Sequence, residues 1–299
     1  MENSKVLLIV NPVSGKMKAR NGIFDIVDRF SKRNNDITVR TTSCRGDATR
    51  LAIEKSCDYD AVICCGGDGT LNEVVSGMMQ CPEKKPIGYI PCGSTNDFAN
   101  NFGIPLSIPA ATETILGNEP RSIDVGLFEG DGRSGFFTYT ASFGAFASAS
   151  YSAPQQVKNA LGHLAYILEG MKTIPNIRPI HIEAEFNGNL YSEDILFGAI
   201  TNSVSLGGVI NIRKDLVDLN DGLFEVILIK APKLPSELTR ILVAINSKTY
   251  DDPLIIFDKT SEIKIRTIEP VSWTLDGEFG GTNNCVSVKN FRSGVELIV

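Results

Sequence analysis

Ala61–Met79 reads AVICCGGDGTLNEVVSGMM: an apolar run of strand length, a glycine-rich turn at Gly66-Gly67-Asp68-Gly69-Thr70, then a helical pattern from about Leu71. A buried strand feeding a tight turn and a helix is the repeating half of an α/β domain. The same rhythm runs outward through the first 120 residues. Lys5 to Asn11 reads as a buried strand, and Ile23, Ile26, Val27 and Phe30 share one helical face. A strand at Ile37 to Thr42, a helix with Asp47 as its N-cap, a strand at Ile87 to Pro91, and helical stretches after Thr95 and Pro109 complete the series. Such alternation implies a doubly wound parallel sheet covered on both faces, whose ligands sit at the carboxyl ends of its strands.

From about Arg121 the pattern becomes β-rich. Strand signals cover Arg121 to Phe128, Gly135 to Ser142, Ile180 to Phe186, Ile195 to Thr201, Leu223 to Lys230, Ser261 to Thr267 and Cys285 to Val288. Helical patterns are confined mainly to Gln155 to Thr173 and Pro235 to Asn246. The expected organisation is an α/β domain over 1–120 and an antiparallel β domain over 121–299, with Asn290 to Val299 assigned firmly to neither.

The chain has 299 residues, and 29 Lys plus Arg against 35 Asp plus Glu leave a net charge of −6. This acidic balance argues against nucleic acid as a partner, because binding a polyanion requires a basic face. No apolar run approaches the roughly 18 to 20 residues that span a bilayer. The polar start Met1-Glu2-Asn3-Ser4-Lys5 carries no secretory pattern, so the cytoplasm is the expected location. Seven cysteines without CxxC spacing suggest neither a disulfide framework nor a zinc site, and Cys64 and Cys65 read as core. His163 and His181, the only histidines, are too few and too distant for a histidine-based metal site or triad.

Three loops fall where strands of the first domain end: Asn11-Pro12-Val13-Ser14-Gly15-Lys16, Gly66 to Thr70, and Pro91-Cys92-Gly93-Ser94-Thr95-Asn96-Asp97. A parallel sheet puts all three on one edge, where glycines let the backbone approach a ligand and a helix start offers unpaired amides to phosphate. None is a Walker A loop, since Met17 follows Gly15-Lys16. A carboxylate at Asp68 among such glycines would repel phosphate unless a cation intervened, so Mg²⁺ held by Asp68 and Asp97 is the expectation. Lys16 and Arg20 are the nearby cations for a transferring phosphoryl group. In the second domain, Asp218-Leu219-Asn220-Asp221-Gly222-Leu223 reads as a tight turn. Asp276 and Glu278 follow Val271 to Thr274. On an extended segment they face one way and can act as a general base and its partner; a turn there is equally compatible with the sequence.

Together these motifs resemble the bacterial diacylglycerol kinase-like lipid kinases, related to sphingosine and ceramide kinases. The match runs through Asn11-Pro12-x-Ser14-Gly15-Lys16, Gly46-Asp47-Ala48, Gly66 to Glu73, Pro91-x-Gly93-Ser94-Thr95-Asn96-Asp97-Phe98-Ala99, Asp124-Val125-Gly126, Asp221-Gly222-Leu223 and Asp276-Gly277-Glu278. The Gly-Gly-Asp-Gly-Thr element occurs also in NAD kinases and phosphofructokinases; its combination with Asn96 to Ala99 and the late Asp-Gly-Glu is the more specific sign.

The resemblance implies a Rossmann-like domain of the NAD kinase and phosphofructokinase type, a C-terminal β-sandwich, and ATP in the cleft between them. Carried over, nucleotide contacts fall on Asn11, Pro12, Val13, Ser14, Gly15, Thr42, Gly66, Gly67, Asp68, Gly69, Thr70, Leu71, Asn72, Glu73, and Ser94 or Thr95. A structural Mg²⁺ would take Asp218, Asp221 and the Leu223 backbone, linked through charges to Lys16, Arg20, Asp68, Asp97 and Glu278. Glu278 would accept the proton of a lipid hydroxyl, with Asp276 beside it and the choice of base left open. Two departures stand out: Ser94 where many relatives have Thr, and Asn220-Asp221 where some have paired aspartates. The expected protein is an ATP- and Mg²⁺-dependent lipid kinase that visits a membrane peripherally through a local basic or apolar patch, with a homodimer left open. A kinase for a soluble substrate such as NAD and a non-catalytic nucleotide-binding regulator are the alternatives. Phe136 to Phe146 and Leu161 to Leu168 are candidates for an acyl-chain slot, with core packing the simpler role.

Overall fold

The computed structural model describes residues 1–144, 178–206 and 210–299. They form two compact units, Met1–Val125 with Ser293–Val299, and Gly126–Arg292.

The first unit alternates β1 (Lys5–Val10), α1 (Ser14–Lys32), β2 (Asp36–Thr41), α2 (Asp47–Lys55), β3 (Ala61–Gly66), α3 (Asp68–Gln80), β4 (Ile87–Pro91), α4 (Asp97–Phe102) and α5 (Ile108–Gly117). Its strands lie in the order β2-β1-β3-β4, all parallel. β1 and β3 are covered on both faces, which is why Val6 to Val10 and Ala61 to Cys65 are continuously apolar and buried rather than alternating. Cys64 and Cys65 belong to this core at 0% exposure. α1 presents Ala19, Ile26 and Phe30 to it, and α3 presents Leu71, Val74, Val75 and Met78.

The second unit holds β5 (Pro120–Gly130, beginning in the first unit), β6 (Ser134–Phe137), β7 (Thr140–Gly144), β8 (Ile180–Phe186), β9 (Asn189–Thr201), β10 (Ser205–Leu206), β11 (Ile210–Asn211), β12 (Phe224–Lys230), α6 (Pro235–Ser247), β13 (Ile255–Thr260), β14 (Glu262–Leu275) and β15 (Glu278–Ile298). These strands pair antiparallel in the order β13-β12-β9-β7-β14-β15. Period-two alternation on β9 and β12 serves two cores. Ile200, Val226 and Leu228 join Phe137, Phe143, Phe224 and Trp273, whereas Ala199, Ile227 and Ile229 pack with Ile241, Ala244 and Ile245 of α6. Within the expected acyl slot, Phe137 and Phe143 are therefore core; Phe146, Leu161 to Leu168 and the expected helix Gln155 to Thr173 lie outside the described residues. β15 runs back into the first unit, where Leu297 and Ile298 pair in parallel with Ile87 and Gly88 of β4. Asp124, fully buried, accepts the Ser293 amide at 2.8 Å and ties this last segment down.

Candidate active site

Four loops leave the carboxyl edge of the parallel sheet, and glycines let three of them touch. Gly15 has φ +53°, and a Cβ there would stand 1.9 Å from the Cys92 carbonyl oxygen. A Cβ on Gly93 would stand 2.8 Å from the Gly67 Cα. Only backbone without side chains permits loops one, two and three to approach this closely. Asn11 adds a polar tie: its side-chain amide donates to the Thr70 hydroxyl at 3.1 Å, and its Oδ1 accepts the Val13 amide at 3.2 Å. Gly15→Ala is expected to destabilise the first unit by at least ~2 kcal/mol, from left-handed strain plus overlap with Cys92, read as a lowered thermal unfolding midpoint.

The N-cap of α3 is Gly67, in an extended conformation and with no side chain of its own to cap the helix. Its first-turn amides and the positive end of its dipole therefore face the loops. Asp68 begins this helix, but its carboxylate turns to α4. Oδ2 accepts the Asp97 amide at 3.0 Å and the Thr95 hydroxyl at 3.3 Å, and Oδ1 accepts the Phe98 amide at 3.2 Å. These donors offset part of the Asp68 charge. Asn96, buried with φ +51°, braces the third loop by accepting the Gly93 amide at 2.7 Å and donating to the Gly93 carbonyl at 3.2 Å. Phe98 and Ala99 anchor α4 in the core. The Asn-Asp-Phe-Ala stretch is thus a brace, a capped amide and two anchors, and Ser94 is exposed at its rim.

The fourth loop, Thr42 to Gly46, is held by two carboxylates. Asp47 is the first helical residue of α2, not the expected N-cap; Gly46 takes that place. The Asp47 carboxylate reaches back to accept from the Ser43 hydroxyl at 2.6 Å and the Ser43 amide at 2.8 Å, bonds that hold it well below the usual carboxylate range. Glu73 of α3 caps α2 instead, accepting the Gly46 amide at 2.8 Å and the Ala48 amide at 3.1 Å. Leu71 is core. Of the residues expected at nucleotide, the structure brings together Asn11 to Gly15, Thr42, Gly66 to Thr70 and the third loop, with Asn72 on α3. It gives Leu71 and the Glu73 carboxylate to packing and capping. Arg20 is exposed on α1; the Lys16 side chain lies outside the described residues.

In the second unit, Asp276 and Gly277 are not extended. With φ of +48° and +79° they form a two-residue hairpin turn between β14 and β15, closed by the Leu275–Glu278 pair. The expected convergence of Asp276 and Glu278 on one face does not occur. Asp276 is buried: Oδ2 accepts the Thr138 amide at 2.7 Å and the Thr138 hydroxyl at 3.0 Å, and Oδ1 accepts the amides of Tyr139 at 3.0 Å and Thr140 at 3.1 Å. Glu278 is exposed at the first position of β15.

The turn expected to hold a structural Mg²⁺ is closed by its own aspartates. Asp218 Oδ1 accepts the Asn220 amide at 3.1 Å, and Asp221 Oδ1 accepts the Leu223 amide at 2.9 Å, so the turn closes on itself. The cation facing Asp221 is Lys259, whose Nζ lies 3.0 Å from Asp221 Oδ2 and 3.2 Å from Oε1 of the fully buried Glu225. Burial pushes Glu225 up to about 7, against the pull of Lys259. Among the described residues no group of three or more His, Cys, Asp and Glu could hold a metal ion. Lys259 and Glu225 carry no motif, and only the register of β12 with β13 brings them together. Lys259→Met is expected to lower the stability of the second unit by about 3 kcal/mol, because Asp221 and Glu225 lose their cation. Adding Glu225→Leu should restore much of the loss, checked by urea unfolding.

Comparison with known proteins decides the family. The model named "Diacylglycerol kinase catalytic domain" matches residues 5–128, and the "YegS C-terminal NAD kinase beta sandwich-like domain" matches residues 140–290. The diacylglycerol kinase of Bacillus subtilis is 34% identical over 276 residues, covering 92% of this chain and 89% of that protein. The chain belongs to the diacylglycerol kinase family. A Staphylococcus aureus diacylglycerol kinase is 30% identical over 92% of this chain and 86% of its own length. The crystal structure of a diacylglycerol kinase from Bacillus anthracis superposes with a TM-score of 0.73 at 23% identity, covering 98% of this chain and 96% of that one, which speaks to fold alone. As a member of this lipid kinase family the chain is an enzyme, with an α/β catalytic domain followed by a β-sandwich domain.

Proposed function

We propose that this enzyme transfers the γ-phosphoryl group of ATP, taken up as its Mg²⁺ complex, to the hydroxyl of a membrane lipid such as diacylglycerol. One observation carries the nucleotide half: glycine loops drawn together at the parallel edge beside the amides of α3, whose N-cap is a glycine. The triphosphate lies on these amides and on the loop from Asn11 to Gly15, with Lys16 and Arg20 offsetting the transferring charge. Glu278 is the proton acceptor. The lipid oxygen forms its bond to the γ-phosphorus as the bond to the β,γ-bridging oxygen breaks, the hydroxyl proton passes to Glu278, and ADP leaves. Asp276 is a poor base because its oxygens already accept four donors. It is a positioning residue that fixes the turn from which Glu278 projects.

The test is a panel of extracted membrane lipids with labelled ATP and Mg²⁺, products identified by mass, and a parallel arm with NAD. A phosphorylated lipid is the expected product. Labelled NADP, or nucleotide binding without transfer to any lipid, would replace this reading.

A further inference from the structure

Two buried thiols meet at the carboxyl edge of the parallel sheet. β3 and β4 pair with Cys65 opposite Ile90 and Gly66 opposite Pro91, and the Cys92 amide, just past β4, donates to the Gly66 carbonyl at 2.7 Å. Successive side chains of a strand point to opposite faces, so Cys64 and Cys65 diverge. It is Cys65 that meets Cys92, Sγ to Sγ at 3.6 Å. A disulfide brings its sulfurs to about 2.05 Å. Thiols already in contact reach that distance by side-chain torsion and a small backbone step at the end of β4.

The two sulfurs are unlike. The hydrogen bond from Cys65 and the charge of Lys18 pull the Cys92 thiol below its ordinary range, while the same bond and burial push Cys65 up. Cys92 is therefore the attacking sulfur and Cys65 the resolving one. Both are buried, but Ser94 and Thr95, two and three residues beyond Cys92, are exposed, so an oxidant close to water in size has a short way in. Nor can the third loop move alone. A Cβ on Gly15 would stand 1.9 Å from the Cys92 carbonyl oxygen, and one on Gly93 would stand 2.8 Å from the Gly67 Cα, so a shift of Cys92 is passed to both other glycine loops.

We propose that Cys65 and Cys92 are a redox pair, oxidised by peroxide to a disulfide that displaces the third loop and slows the enzyme until a dithiol reduces it. The Cys92 thiolate attacks one oxygen of hydrogen peroxide, the O–O bond breaks, and the hydroxide that leaves takes up a proton to become water. Cys92 is then a sulfenic acid. The Cys65 sulfur attacks the Cys92 sulfur, the S–O bond breaks, and hydroxide leaves with the Cys65 proton as a second water. Two thiols give up two electrons and two protons, and one peroxide becomes two waters. A dithiol reverses the step through a mixed disulfide. The effect on activity rests on the kinase reading; the disulfide itself is read by mass, without ATP.

The test uses the full chain with the exposed Cys44, Cys57 and Cys285 each changed to Ser. It is treated with hydrogen peroxide, remaining thiols are blocked with iodoacetamide, and peptides are mapped by mass. The expected product links Cys65 to Cys92, lighter by two hydrogens, and dithiothreitol undoes it. On oxidation kcat/KM for ATP should fall about 10- to 100-fold, as for a positioning loop misplaced by about 1 Å, and return with dithiothreitol. Cys65→Ala and Cys65→Val, which bracket the thiol in volume, should keep the reduced activity and lose both the linkage and the peroxide response. Unlinked Cys65 and Cys92 after peroxide overturn the proposal, as does linkage through Cys64 or Cys81 instead. So does a linkage that leaves activity untouched, or a peroxide response that both Cys65 variants retain. If the linkage forms but even the reduced enzyme phosphorylates no lipid, the redox pair stands and the functional reading falls.

Discussion

Glu278→Gln is expected to lower kcat on the lipid acceptor by about 100- to 10,000-fold, the range for losing a general base, while the protein stays folded. The amide keeps the size and position of the side chain but cannot accept a full proton. Because Glu278 is exposed, the substitution should move stability by no more than ~0.5 kcal/mol. KM for ATP should change little, since the nucleotide contacts proposed above lie on the glycine loops. Steady-state kinetics beside a thermal melt separate these effects: a large fall in kcat with an unmoved midpoint supports the role, and near-normal kcat removes it.

Asp276→Asn should behave in the opposite way. Here the carboxylate receives three backbone amides and one hydroxyl in a buried turn. An asparagine offers one oxygen and an NH₂ that faces donors, leaving buried amides without acceptors. The expected loss is about 3–5 kcal/mol of stability in the second unit, larger than the loss of an ordinary hydrogen bond because the acceptor is charged and the donors are desolvated. Activity should fall too, as a consequence of a displaced turn. Urea unfolding followed by Trp273 fluorescence reads this directly, because Trp273 is buried in β14 three residues before the turn. An unchanged midpoint would show that Asp276 does not hold the turn.

The contrast between these two residues shows where sequence reasoning stopped. The parallel sheet was legible because Val6 to Val10 and Ala61 to Cys65 are unbroken apolar runs that end in glycine turns, and topology alone then gathers those turns on one edge. What the side chains do there was not legible. Asp68 looked like a metal ligand because its neighbours in sequence are glycines, whereas its partners come from residues 95–98, next to it only after β4 has paired with β3. Asp276 and Glu278 looked alike as acids two apart, and positive φ at Asp276 and Gly277 separates them into a clamp and an exposed carboxylate. Lys259 was invisible for the same reason as Glu225: a single charged residue in a strand carries no pattern, and pairing in the sheet decides what it faces. Family resemblance supplied the roles that spacing could not, but it did not foresee the lysine beside Asp221 in the turn at Asp218 to Leu223.

The central claim is phosphoryl transfer to a lipid hydroxyl, and one measurement meets it most directly. Purified enzyme is mixed with γ-labelled ATP, Mg²⁺ and a diacylglycerol, and both ADP and lipid phosphate are quantified with the lipid product identified by mass. The account predicts label in phosphatidic acid, one molecule for each ADP formed. ADP released without any phosphorylated lipid, or label recovered only in a soluble acceptor, would contradict it.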